Sequence, residues 1–178
     1  MQEIDFIDEY YNVIKNALIQ NSNLKEVVTL QNKIDIYTKL YQFCTTNDEY
    51  TKDIYNRYET LLISYCQTFK VLNNKDIIDS INSFIDNYEI LVKYLYFAFN
   101  YLDKHYVKHN DLLNLKNELP DQILLNNIIL NQEKDIVNTL LNEINLLRNK
   151  KEANTFLFSD NLKINVFLKK IINIDTNN

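Results

Sequence analysis

Not one of the 178 residues is glycine, and only one, Pro120, is proline. An average composition would place about 12 glycines in a chain of this length. Their absence removes every motif that needs a backbone without a Cβ: the phosphate-cradling P-loop, the dinucleotide GxGxxG turn and the GxSxG nucleophile elbow. It also leaves almost nothing to break a helix. Apolar residues recur at helical spacing nearly throughout, and strand-like alternation never persists over a useful length. The chain therefore reads as an all-α helical bundle of about 6–8 helices. At 46% hydrophobic residues, with 13 Tyr and 9 Phe, it has the apolar content of a folded domain and not of a disordered segment. Its length fits one unit, residues 1–174, followed by a frayed Asn-rich tail, 175–178.

The periodicity predicts a first helix over Glu3–Gln20 with Ile7, Tyr10, Ile14 and Leu18 on one stripe. A second covers Gln31–Thr45. Asn47–Asp48 caps a third through Phe69, whose stripe is Tyr55, Tyr58, Leu62, Tyr65 and Phe69. Asn74 caps a fourth, carrying Ile77, Ile81, Phe84 and Tyr88, and a fifth runs from Tyr88 to Lys108. Beyond Pro120 follow helices over Asp121–Leu130, Glu133–Asn149 and Asn161–Ile172.

A net charge of −5 argues against nucleic acid as a partner, because affinity for phosphates is built from a basic field. The two lysine pairs, Lys150–Lys151 and Lys169–Lys170, are diluted by acidic or flanked by hydrophobic residues. No run of about 18 apolar residues occurs to span a membrane. The amino terminus, Met-Gln-Glu-Ile-Asp, has no basic segment of the secretory kind. Cys44 and Cys66 therefore read as reduced, semi-buried thiols of a cytoplasmic or nuclear protein, each at a spacing that faces the core. Excess Asn, Ile, Lys and Tyr over Gly, Pro, Ala and Arg points to an AT-rich genome, such as those of many large DNA viruses and some intracellular parasites.

The sequence offers no catalytic set and no cofactor or metal site. His105 and His109 stand at i, i+4 but lack the third ligand or glutamate that a metal site needs. The carboxylate pairs Asp48–Glu49 and Glu133–Asp135 suit solvated helix starts, where the macrodipole favours acids. The chain reads as a non-enzyme.

Two helices carry more apolar surface than one packing contact uses. On the second, Ile36, Leu40, Phe43 and Cys44 form one stripe, and Ile34, Tyr37 and Tyr41 form another about 100° away. On the fifth, Leu91, Leu95, Ala98, Leu102 and Tyr106 form a face, with Glu89, Lys93, Asn100 and Asp103 on the wet side. Between them runs a further strip, Ile90, Tyr94, Phe97 and Tyr101, ending at Lys104. Each surplus strip either packs on a second neighbour inside the bundle or forms an exposed patch of amphipathic aromatics, the residues that anchor protein interfaces.

The segment Ile34-Asp-Ile-Tyr-Thr-Lys-Leu-Tyr-Gln-Phe-Cys-Thr-Thr46, followed by Asp53-Ile-Tyr-Asn-Arg-Tyr58, resembles the second and third helices of a cullin, most of all the SCF type. Asn100-Tyr-Leu-Asp-Lys-His-Tyr-Val107 is similar to the cullin fifth-helix signature. Asn138-Thr-Leu-Leu-Asn-Glu-Ile-Asn-Leu-Leu-Arg-Asn149 is similar to the helix that ends in Glu-Arg-Asn-Gly. The order and spacing of these motifs agree over residues 3–172, the extent of the first cullin repeat.

The resemblance implies a cullin-repeat fold and a scaffold's role. In the family, the second and fifth helices grip a BTB/POZ-fold adaptor, a Skp-type protein in SCF ubiquitin ligases, which carries an F-box receptor. The matching positions are Ile34, Tyr37 and Tyr41 on one helix and Tyr101 and Lys104 on the other, and Ile90, Tyr94 and Phe97 share the second strip. The chain departs from the family in three places. Lys150 stands where the Arg-Asn-Gly glycine would be, Leu112–Asn127 with Pro120 aligns poorly with the sixth helix, and Lys33 replaces an aromatic or apolar contact residue. With room for one repeat only, the chain is expected to lack the region that recruits the RING protein. It would act as a cullin mimic that binds the adaptor and competes with the full cullin, in the cytoplasm or nucleus of a host cell if its source is a virus or parasite. The alternatives are a bridge that redirects adaptor-bound substrates and an unrelated helical immunomodulatory protein.

Overall fold

The computed structural model describes residues 5–46, 48–69 and 77–149. Their regular elements are all helical: α1 Asp5–Ile19, α2 Leu24–Val27, α3 Leu30–Thr46, α4 Asp48–Cys66, α5 Ile77–Leu102, α6 Glu118–Leu124 and α7 Glu133–Asn149. A π-helical turn, Asp103–Val107, extends α5, and another, Leu125–Ile129, extends α6. No helix among the described residues is long and apolar enough to cross a membrane. The expected helix over 161–172, the Asn74 cap, the Asn47 part of the third cap, Lys150 and the tail 175–178 lie outside the described residues.

A chain without glycine must end its helices with other residues, and Asn and Asp do so here. Asn21, at φ 51°, follows α1 in the left-handed region that short polar side chains tolerate. Around it the Ser22 N–H donates to the Ala17 carbonyl at 2.8 Å and the Asn21 N–H to Leu18 at 3.2 Å, the paired bonds of a Schellman cap. Asp111, at φ 53°, serves the extended α5, where the Leu112 N–H reaches back to the Val107 carbonyl at 3.2 Å. α3 opens with a reciprocal cap: the Thr29 hydroxyl accepts the Asn32 N–H at 3.2 Å, and the Asn32 carboxamide accepts the Thr29 N–H at 3.0 Å.

Three sequence expectations need correction. The fourth and fifth helices are one, α5, because nothing between Ile77 and Leu102 breaks a helix: no Pro, no Gly and no capping geometry at Tyr88. Pro120 does not precede its helix but lies in the first turn of α6, where a missing N–H costs nothing. Asn114 caps that helix, its carboxamide oxygen accepting the N–H groups of Asn117 and Glu118. Asn100, whose carboxamide oxygen is buried, is not on the wet side, and neither is Asp103. Its carboxylate accepts the Leu115 N–H at 2.7 Å and the Tyr96 hydroxyl at 3.3 Å, fastening the chain beyond α5 back onto it.

The predicted stripes do form the core. Ile7, Tyr10, Ile14 and Leu18 of α1, Tyr55, Tyr58, Leu62 and Tyr65 of α4, and Ile81, Tyr88, Leu91, Leu95 and Ala98 of α5 are all buried. Each fully buried aliphatic side chain contributes about 1.5–3 kcal/mol. Tyr58 meets Phe99 with ring centroids 4.8 Å apart. Its buried hydroxyl donates to the Leu115 carbonyl at 2.7 Å, and that of Tyr88 to Pro120 at 2.9 Å. The two phenols thereby pin the 112–120 segment from inside. At the surface, Arg57 of α4 forms a bidentate ion pair with Asp8 of α1, Nε to Oδ1 at 2.7 Å and Nη2 to Oδ2.

Candidate protein-interaction site

Among the described residues, α3 and α5 are the most extensively packed pair of helices, and their contact brings the two surplus strips together. On α3 the strip is Leu30, Ile34, Tyr37 and Tyr41; on α5 it is Ile90, Tyr94, Phe97 and Tyr101. Both follow the same 4-3-4 spacing, a period close to that of the helix itself, so each strip runs nearly straight along its axis. The helices lie side by side in one direction, and the strips meet rung by rung. Lys33 stands with its ammonium 4.4 Å from the Tyr94 ring centre. Tyr37 and Phe97 have ring centroids 6.5 Å apart. Tyr41 meets Tyr101 edge-on at 4.8 Å, and Tyr101 packs on His105 at 4.3 Å.

The inner edge and the outer edge of this seam have different environments. Tyr37, Tyr94 and Tyr101 are half-buried, with Tyr94 and Tyr101 packed on the core. Partial burial, and then the neighbouring Tyr41 phenol, hold the Tyr101 hydroxyl above its ordinary pKa. Ile34, Tyr41, Ile90 and Phe97 keep 46%, 44%, 38% and 43% of their surface in water. Lys104 is exposed at the far end. Helix–helix packing therefore half-buries three of the eight strip residues and leaves Leu30, Ile34, Tyr41, Ile90 and Phe97 exposed.

Polar groups on the flank of α3 are already satisfied by their own helix. The Thr38 hydroxyl donates to the Ile34 carbonyl at 2.8 Å, and that of Thr45 to Tyr41 at 2.9 Å. The outer face of the seam thus offers rings and aliphatic groups, with a lysine at each end.

Sequence reasoning placed seven of these eight strip residues, with Lys104 at their end, but missed two features. Leu30 extends the α3 strip by one rung and is 70% exposed. The 4-3-4 spacing points to it, but a helix begun at Gln31 excludes it. Lys33, read only as a departure from the family's contact residue, also covers an aromatic ring of α5. Such a cation–π contact is worth about 0.5–1 kcal/mol at an exposed site.

The remaining reactive groups are structural. Cys44 and Cys66 are fully and not partly buried, and burial alone pushes their thiols up to about 11 and about 12. At those values both stay protonated thiols near neutral pH. His109 turns its Nδ1 to the His105 carbonyl of its own helix, and the His105 ring lies on Tyr101. Among the described residues, no group of three or more His, Cys, Asp or Glu side chains is placed to hold a metal. Glu133 and Asp135 are exposed in the first turn of α7.

The described helices thus carry an apolar seam between α3 and α5. The profile of the cullin alpha solenoid domain matches residues 11–173, nearly the whole chain, and the protein belongs to the cullin family. Its members are scaffolds and not catalysts, and they bind adaptor proteins in ubiquitin ligases. No curated protein and no solved structure gives a significant match.

Proposed function

We propose that the α3–α5 seam grips a BTB/POZ-fold adaptor of the Skp type, alone or with its F-box protein, and that the chain thereby competes with a full SCF-type cullin. The observation that carries this reading is the open outer edge of the seam. Ile34 and Tyr41 on one helix and Ile90 and Phe97 on the other are held in register by half-buried tyrosines. Amphipathic aromatics fixed on rigid helices lose little entropy when a partner covers them, which is what an interface anchor requires. Lys104 supplies a charge at the rim.

Two proteins that cover one surface of an adaptor exclude each other, so binding implies competition and a change in which substrates the ligase receives. We take residues 1–174 as one cullin-repeat unit acting in the cytoplasm or nucleus, where such ligases work. The AT-rich signature of the composition fits a viral or parasitic source whose target is the host's ligase.

Titration of the protein into a purified adaptor–F-box complex tests the contact. Submicromolar binding that weakens by about tenfold or more in Tyr41→Ala/Phe97→Ala supports the reading. No binding at tens of micromolar, or equal binding by the variant, sinks it.

A bridging role is favoured by one further feature. Val13 of α1 and Val27 of α2 are exposed beside a groove that Asn32, Asp35 and Lys39 of α3 also line. A substrate-redirecting bridge would hold the adaptor and another protein at once, and Val13→Asp/Val27→Asp would remove the second partner while sparing the first.

A further inference from the structure

Lys25 of α2, Lys33 of α3 and Lys93 of α5 converge on one open groove of about 570 Å³ at the amino-terminal end of the seam. Leu30, Tyr94 and Phe97 form its apolar wall. The gathering of cations runs against the chain's net charge of −5. None of the three ammonium groups is paired with a carboxylate of a described residue, and Lys25 and Lys93 are exposed. Asn100 also lines the groove, and its carboxamide oxygen is buried without a hydrogen-bond partner. Cations beside a low-dielectric wall focus their field into the cleft between them.

We infer that this groove takes an acidic peptide segment carrying apolar side chains, contributed by the protein that the seam grips. Its carboxylates pair with Lys25, Lys33 and Lys93, and a leucine or phenylalanine of the segment covers Leu30 and Phe97. The chemistry of the occupant comes from the groove itself; only its assignment to the adaptor complex rests on the adaptor reading. A peptide suits the site better than a nucleic acid, since three lysines set in an acidic protein give no extended basic track for a phosphate backbone. The groove recruits the acidic segment early, steering the partner onto the seam.

The test is fluorescence anisotropy of the full chain with a labelled short peptide that alternates Glu with Leu and Phe. A Glu-only peptide and a single-stranded oligonucleotide of equal charge are run beside it. The expected result is saturable binding of the mixed peptide, tighter than that of either comparator and weakening as NaCl rises. Lys25→Glu/Lys93→Glu, and more mildly Lys25→Gln/Lys93→Gln, should weaken it, the charge reversal by about tenfold. A charge-matched Lys52→Glu/Lys108→Glu variant should leave it unchanged. All four lysines are exposed, so the variants retain the thermal unfolding transition of the wild type. No saturable binding, equal binding by the reversal variant, or preference for the Glu-only peptide or the oligonucleotide overturns the inference. Peptide binding that persists where the adaptor complex fails to bind overturns the adaptor reading alone.

Discussion

The ammonium group of Lys33 lies 4.4 Å from the centre of the Tyr94 ring and 5.9 Å from that of Phe97, so one cation on α3 clasps two rungs of α5. The contact fixes the start of the seam where the aromatic pairs between the helices begin. Lys33→Ala should lower unfolding stability by about 0.5–1 kcal/mol. Lys33→Met should cost less, because its stem still covers the ring. Urea unfolding of both, alone and combined with Tyr94→Leu, measures the coupling; in the Tyr94→Leu background the difference between lysine and methionine should shrink to what the Phe97 contact still supplies.

The seam depends on a core that two buried phenols tie to the 112–120 segment. Tyr58→Phe leaves the Leu115 carbonyl without its donor and should cost about 1–3 kcal/mol, although no ring packing is lost. Tyr88→Phe does the same to Pro120. Denaturant titration of the single and double variants checks this, and a loss near zero would mean that water replaces the phenols.

Burial of the two thiols gives the protein an alkaline limit. Cys44 and Cys66 are raised from an ordinary value of 9.0 to about 11 and about 12. Between those limits the unfolded chain has released protons that the folded chain still holds. The thiols' contribution is therefore fully present below pH 9.0 and is lost as pH climbs toward the folded values. The Tyr65 phenol, raised to about 12 first by burial, acts in the same direction. Thermal unfolding followed from neutral pH upward should show a falling midpoint above pH 9.0. Iodoacetamide at mildly alkaline pH should label both cysteines quickly in denaturant and slowly without it.

Binding and stability should separate on the outer edge of the seam. Ile34 is 46% exposed on α3, so Ile34→Asp should change unfolding stability by about 0.5 kcal/mol or less. The same change sets a charge in the middle of the proposed contact, where desolvation would weaken adaptor binding by about tenfold or more. Circular dichroism melts paired with adaptor titrations check both halves. Unaltered binding would move the contact off this edge.

What the sequence showed of this fold follows from what periodicity encodes. Stripes such as Ile7–Tyr10–Ile14–Leu18 name a buried face without naming the neighbour, so the core was legible and the pairing of α3 with α5 was not. The continuity of α5 past Tyr88 was obscured because overlapping stripes mimic two helices where no residue breaks the backbone. α2 has only four residues, too short for periodicity to register. Its signal lay in Asn23, which accepts the Lys25 N–H at 3.2 Å while its amide donates to Glu26 at 2.7 Å. Asp103 misled for a related reason: a carboxylate at a helix edge reads as solvated unless the loop that folds back to it, here Leu115, is known. The candidate site was legible residue by residue through its strips. Its division into a packed inner edge and an open outer edge depends on tertiary packing between distant segments.

The most direct test of the central claim is displacement. A labelled amino-terminal domain of an SCF-type cullin is bound to its adaptor–F-box complex, and this protein is added in increasing amounts. The account predicts complete release of the label by the wild-type protein and none by Tyr41→Ala/Phe97→Ala at the same concentrations. Retention of the label at saturating protein, whether through a ternary complex or through no contact at all, would contradict it.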